Sequence, residues 1–182
     1  QQAHRQNPRR RLVAIGEHVI RVADGSLSID AQVTNWSWDG GAATLVDVGT
    51  PMVWKGDGSF EMDMDPFIRM LPAPFRPLIK REMTKVTQRW RTASGTLTDA
   101  VGNLYRENLE EWTEPAAATW SRQLIAAGHE PASIEGARKA YEDDLKLWPM
   151  LKRLQRLERR WCKLRGRPYD YFIQNSYDGS LS

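Results

Sequence analysis

The sequence predicts an α+β domain in which short strands come first and a helical body follows. Three observations carry that expectation. Residues 12–55 hold strand-like apolar runs separated by turn signals. Residues 56–77 are punctuated by Gly56, Gly58, Pro66, Pro72, Pro74 and Pro77, and read as irregular. From Phe75 onward, apolar residues recur at helical spacing. With 41% hydrophobic residues in 182, the chain can bury one sizeable core. The expectation is one domain over 1–182, with flexible ends at 1–10 and 175–182.

The first strands are expected at Leu12-Val13-Ala14-Ile15 and His18-Val19-Ile20-Arg21-Val22, followed by a turn at Ala23-Asp24-Gly25-Ser26. Trp36-Ser37-Trp38 and Thr44-Leu45-Val46 read as a hairpin around Asp39-Gly40-Gly41. Leu78, Ile79, Met83, Val86 and Trp90 mark a first helix that Ser94-Gly95 should end. Thr96-Leu97-Thr98-Asp99 looks like the next helix start, and Pro115 should interrupt the run that follows. Ala116–Ala127 reads as a third helix, stopped by Gly128. Pro131-Ala132-Ser133-Ile134-Glu135 opens a long segment to about Arg165, which Pro149 should kink or divide. Its stripe of Leu147, Met150, Leu151, Leu154, Leu157, Trp161 and Leu164 has the spacing of core packing.

Composition narrows the function classes. A single cysteine, Cys162, excludes an internal disulfide and a cysteine-based zinc site, and fits a reducing, cytoplasmic setting. No apolar run reaches the length of a membrane span, and no membrane partner is expected. Net charge is +3, with basic clusters at Arg9-Arg10-Arg11 and at Lys152, Arg153, Arg156, Arg159, Arg160, Lys163, Arg165 and Arg167. Glu142, Asp143, Asp144 and Glu158 interleave acids with the second cluster, which therefore reads as a solvated helix face and not as a nucleic-acid surface. His4, His18 and His129 are scattered, which argues against a histidine metal centre. Met62-Asp63-Met64-Asp65 lacks the glycine and distal glutamate of a calcium loop.

One constellation points to a specific chemistry. Asp30, Asn35 and Asp47-Val48-Gly49 form an ordered polar triplet at the edges of strand-like runs. Phosphoryl transfer needs an acceptor hydroxyl held in line and a divalent metal that neutralises the phosphate oxygens. A loop aspartate can take or orient the hydroxyl proton. An asparagine and a second aspartate offer the oxygen donors that Mg²⁺ prefers. The hairpin between them would bring Asn35 and Asp47 together.

Asp30-x-x-x-x-Asn35 followed by Leu45-Val46-Asp47-Val48-Gly49 resembles the catalytic core of the aminoglycoside phosphotransferase and protein kinase-like superfamily, whose His-Gly-Asp-x-x-x-x-Asn loop precedes a hairpin and an Asp-x-Gly motif. The resemblance implies a kinase-like C-terminal lobe. It also implies Asp30 as catalytic base, Asn35 and Asp47 as ligands of Mg²⁺ and nucleotide, ATP as phosphoryl donor, and a small-molecule or peptide hydroxyl as acceptor. Ser28-Ile29 stands where the family has His-Gly. No Gly-rich phosphate loop or lysine-bearing strand precedes Asp30, so the nucleotide-binding N-lobe is expected from a missing segment or a partner polypeptide. The alternative is a catalytically inactive kinase-like binding or scaffolding module. A third reading is a basic helical binding module whose triplet is accidental.

Overall fold

The computed structural model describes residues 8–166, apart from 40, 41, 48, 50, 51, 70 and 72, together with residue 168. Six α-helices and four short strands are found among them: α1 Pro8–Val22, β1 Leu27–Ser28, β2 Trp36–Trp38, β3 Ala43–Leu45, β4 Met52–Val53, α2 Asp65–Arg69, α3 Arg76–Arg89, α4 Ala93–Arg106, α5 Thr113–Ala126 and α6 Ile134–Leu164. The α+β class is as the sequence predicts, and helices dominate.

The first departure comes at the N-terminal side, where the two expected strands of residues 12–22 are a single helix. Its buried residues are Leu12, Ile15, Gly16 and Val19, and they lie on one helical face. Val13, Ile15, Val19, Ile20 and Val22 favour strands by β-branching, but this preference spans only about 1 kcal/mol and yields to packing. Here the packing partner is α5. The fully buried Trp120 donates its indole N–H to the Leu12 carbonyl at 2.7 Å, and Gln123 Nε2 donates to the Val13 carbonyl at 2.9 Å. Pro8, Arg9 and Arg10, expected in a flexible end, form the first turn of this helix. The remaining end residues, 1–7 and 175–182, lie outside the described residues.

α4 is the central helix. Ala93, Leu97, Ala100, Val101 and Leu104 are all essentially sealed from solvent, and α1, α5 and α6 pack around it. It begins at Ala93, earlier than predicted. Thr92 caps it, its hydroxyl accepting from the Gly95 amide at 3.0 Å. Ser94-Gly95 therefore opens a helix and does not end one. A side chain at Gly95 would collide with the Arg89 carbonyl, so the α3–α4 corner requires glycine by close approach.

Pro115 also proves compatible with its helix, because it lies in the first turn of α5, where a missing N–H costs little. Gly128 at φ +81° follows the end of α5, as predicted. Ser133 caps α6 through the Gly136 amide at 2.9 Å. The helix then runs unbroken through Pro149, which does not divide it.

The hairpin forms nearly as read. β2 pairs antiparallel with β3, Trp36 opposite Leu45 and Trp38 opposite Ala43. A second antiparallel pair joins β1 to β4, with Leu27 opposite Val53 and Ser28 opposite Met52. Among the described residues, no helix is long and apolar enough to cross a membrane.

Candidate functional site

The two strand pairs bracket the triplet from both ends. β1 leads into the loop holding Asp30, and β2 leaves it directly after Asn35. β3 leads to Asp47, and β4 follows the turn at Gly49. Since β1 pairs with β4 and β2 with β3, the Asp30–Asn35 loop and the Asp47–Gly49 loop are tied side by side at each end. Outside the strands, the Val46 amide donates to the Asn35 carbonyl at 2.8 Å, so Asp47 follows a residue bonded directly to Asn35.

The loop itself is held by its own polar groups. Asp30 is half-buried, with Oδ1 accepting from the Gln32 amide at 3.2 Å and Oδ2 from Gln32 Nε2 at 3.1 Å. A 3₁₀ turn over Val33–Asn35 brings the chain back. Asn35 Nδ2 then donates to the Asp30 carbonyl at 3.4 Å, which closes the loop and leaves the amide oxygen as an acceptor. Asp47 is exposed, and its Oδ1 accepts from the Gly49 amide at 2.9 Å in an Asx turn. Gly49 and Asp47 thus meet as a turn pair, while Val48 lies outside the described residues.

Ser28 anchors the start of the loop. It is 2% exposed, and its hydroxyl lies 2.9 Å from that of Thr96 on α4. Thr96 spends its own proton on the Trp90 carbonyl at 2.9 Å, so Ser28 is the donor. His18 projects from α1, not from a strand. Its ring stands edge-on to Trp36 at 5.5 Å, beneath the strand that follows Asn35.

α4 also supplies an acidic floor that the sequence reading missed. Asp99 and Glu107 both feel the negative charge of Asp30. Burial pushes the Asp99 carboxyl above the usual carboxylate range, against the opposing pull of Arg106, Arg89 and a hydrogen bond from Trp90. Burial likewise raises Glu107, although Thr34 Oγ1 donates to its Oε1 at 3.0 Å. Glu107 Oε2 is enclosed without a hydrogen-bond partner among the described residues. Asn103, 3% exposed, accepts from Arg106 between these two acids. The available signal was polar residues at steps of four, Asp99, Asn103 and Glu107, inside an apolar helical run. Asp99 lies in the second turn of α4, not at the helix start that the sequence predicts.

Asn35 and Asp47 offer one amide oxygen and one carboxylate. That set suits Mg²⁺, which takes one or two protein carboxylates and completes its shell with phosphates and water. Among the described residues, no group of three or more His, Cys, Asp and Glu side chains is gathered as metal donors.

The sequence profile of one family, described as a family of unknown function, matches residues 10–159. The chain belongs to DUF6206. The match takes in α1 from its third residue onward, both strand pairs, the triplet, and most of α6. No curated protein and no solved structure matches the chain. DUF6206 membership therefore fixes kinship and leaves chemistry to be argued from the site.

Proposed function

We propose that this chain is the catalytic lobe of a kinase-like phosphotransferase that moves the γ-phosphoryl group of ATP to a hydroxyl of a small molecule or peptide. The observation that carries the reading is the double bracketing of the two loops by the β1–β4 and β2–β3 pairs. It sets a general-base candidate and two oxygen donors on adjoining loops, in the order the chemistry needs. In this reading Asp30 accepts the acceptor hydroxyl's proton as its oxygen bonds to the γ-phosphorus and ADP departs. The Asp30 carboxylate is already oriented by Gln32. Asn35 and Asp47 would hold Mg²⁺, which would supply charge neutralisation to the donor phosphates. The lone Cys162 supports a cytoplasmic setting. A further lobe or partner polypeptide supplies the phosphate-cradling elements.

Turnover separates the roles. Asp30→Ala should retain Mg-dependent nucleotide binding while lowering kcat by roughly 10²–10⁴-fold, the usual contribution of general acid–base catalysis. Asp47→Ala should lose nucleotide binding itself. One observation favours the rival reading of an inactive binding module: both Asp30 oxygens already accept hydrogen bonds from Gln32. Under that reading Gln32→Ala and Asp30→Ala leave function unchanged. Under ours, Gln32→Ala weakens turnover by misorienting the carboxylate, and Asp30→Ala lowers it by roughly 10²–10⁴-fold.

A further inference from the structure

In the apolar stripe of α6, expected as core, Met150, Leu157, Trp161 and Leu164 lie in solvent and Leu154 is half-buried. Ala137 is buried and Tyr141 stacks on Tyr105 of α4 with ring centroids 5.4 Å apart, so the start of the helix is held by the body. Further along, Met150 is 43% exposed, Leu157 58%, Trp161 55% and Leu164 82%. These four lie at successive steps of seven, four and three residues, which aligns them along one edge of the helix.

The segment that carries this edge is strongly cationic. Between Met150 and Arg165 the chain places Lys152, Arg153, Arg156, Arg159, Arg160, Lys163 and Arg165 against one acid, Glu158. Glu158 is half-buried, on a neighbouring face. Arg153 and Arg160 flank the stripe on one side by helical position. On the other, the Arg165 guanidinium lies 4.3 Å from the Trp161 ring centroid.

We infer that this segment of α6 is a peripheral docking helix for an anionic lipid bilayer, with Met150, Leu157, Trp161 and Leu164 entering the interface and the flanking arginines meeting headgroup phosphates or carboxylates. Charge and shape select that occupant. A second copy would bring Arg153 and Arg160 against like charges. The exposed seam also covers only about two heptads, short of the three or four that sustain a coiled coil. A nucleic-acid backbone would use the cations and leave the apolar edge wet. An anionic bilayer uses both, because an interfacial helix buries an apolar face while Lys and Arg reach the headgroups. Trp is at home at that boundary, with an apolar ring and a polar N–H. The sequence had suggested no membrane partner. What changes the reading is the exposure of the stripe, which spacing alone cannot reveal.

The test is co-sedimentation of the full chain with vesicles of phosphatidylcholine alone, or of phosphatidylcholine with phosphatidylserine. Partition onto the anionic vesicles should be at least about tenfold stronger and should fall steeply with added salt. Leu157→Glu with Trp161→Glu should abolish it. Arg153→Glu with Arg160→Glu should remove the preference for phosphatidylserine. Both pairs lie outside the core, so thermal unfolding followed by circular dichroism should match the parent chain. Light scattering and an oligonucleotide titration run alongside. Absence of vesicle binding overturns the inference, as does equal binding to both vesicle types. A dimer that the apolar pair dissociates, without vesicle binding, overturns it in favour of self-association. Oligonucleotide binding alone overturns it in favour of a nucleic acid.

Discussion

Gly16 marks the point where α1 comes closest to α5, and alanine there tests whether residues 12–22 are truly a packed helix. In an isolated helix the change would stabilise by about 1 kcal/mol, since glycine is the poorer helix former. In this fold the added Cβ would overlap Gln123 Oε1 outright and stand 2.8 Å from Trp120 Cδ1. The carboxamide of Gln123 can move only by weakening its bond to the Val13 carbonyl, worth about 1 kcal/mol. The Trp120 ring has no such freedom, being fully buried and bonded to Leu12. Overpacking of this kind costs about 1–3 kcal/mol. After the helix-propensity gain, the net expected loss is about 2 kcal/mol, or a fall of about 4–8 °C in Tm for a chain of this size. Urea unfolding followed by circular dichroism measures it. In a Gln123→Ala background the loss should shrink, because one of the two overlaps disappears. A Gly16→Ala variant that is neutral or more stable would refute the α1–α5 packing described above.

Four further outcomes follow from the same geometry. Gly95→Ala should cost about 3 kcal/mol, because its Cβ meets the Arg89 backbone and not a movable side chain, as urea midpoints will show. Thr92→Ala removes the α4 cap and should cost about 1 kcal/mol in the same assay. Ser28→Ala breaks the buried hydroxyl pair with Thr96 and should lower stability by about 1 kcal/mol, with weaker nucleotide binding measured by calorimetry as the loop loosens. For Asp99, burial raises the folded-state pKa above the unfolded value, so the folded state holds more protons just above about pH 4. Stability should therefore fall as pH rises from there through the raised pKa. Asp99→Asn should flatten that slope in urea unfolding across the window, and an unchanged slope would contradict the assignment.

Local chemistry made some of this fold legible. Asp39-Gly40-Gly41 between two aromatic or β-branched runs signalled the hairpin, and Pro131-Ala132-Ser133-Ile134-Glu135 announced α6. What failed did so for physical reasons. In α1, β-branched residues pointed to strands, while the burial of Leu12, Ile15 and Val19 against α5 decided otherwise. At Ser94-Gly95 the glycine looked like a helix stop, because the close approach of the Arg89 carbonyl is visible only in three dimensions. The adjacency of the Asp30–Asn35 and Asp47–Gly49 loops was readable from their order and the hairpin between them. Asp99 and Glu107 were not, since they acquire meaning only when the Asp30 loop settles on α4. The α6 stripe has the same spacing whether it is covered or open, so only the folded chain shows it open.

The proposed function requires the adjoining Asp30 and Asp47 loops to form a nucleotide–metal site. Calorimetric titration of Mg-ATP into the longest expressible form of the chain, with Asp47→Ala as control, tests it most directly. Mg-dependent binding that disappears in Asp47→Ala and persists in Asp30→Ala is the expected result. Absence of Mg-dependent binding, or binding that Asp47→Ala leaves intact, would contradict it.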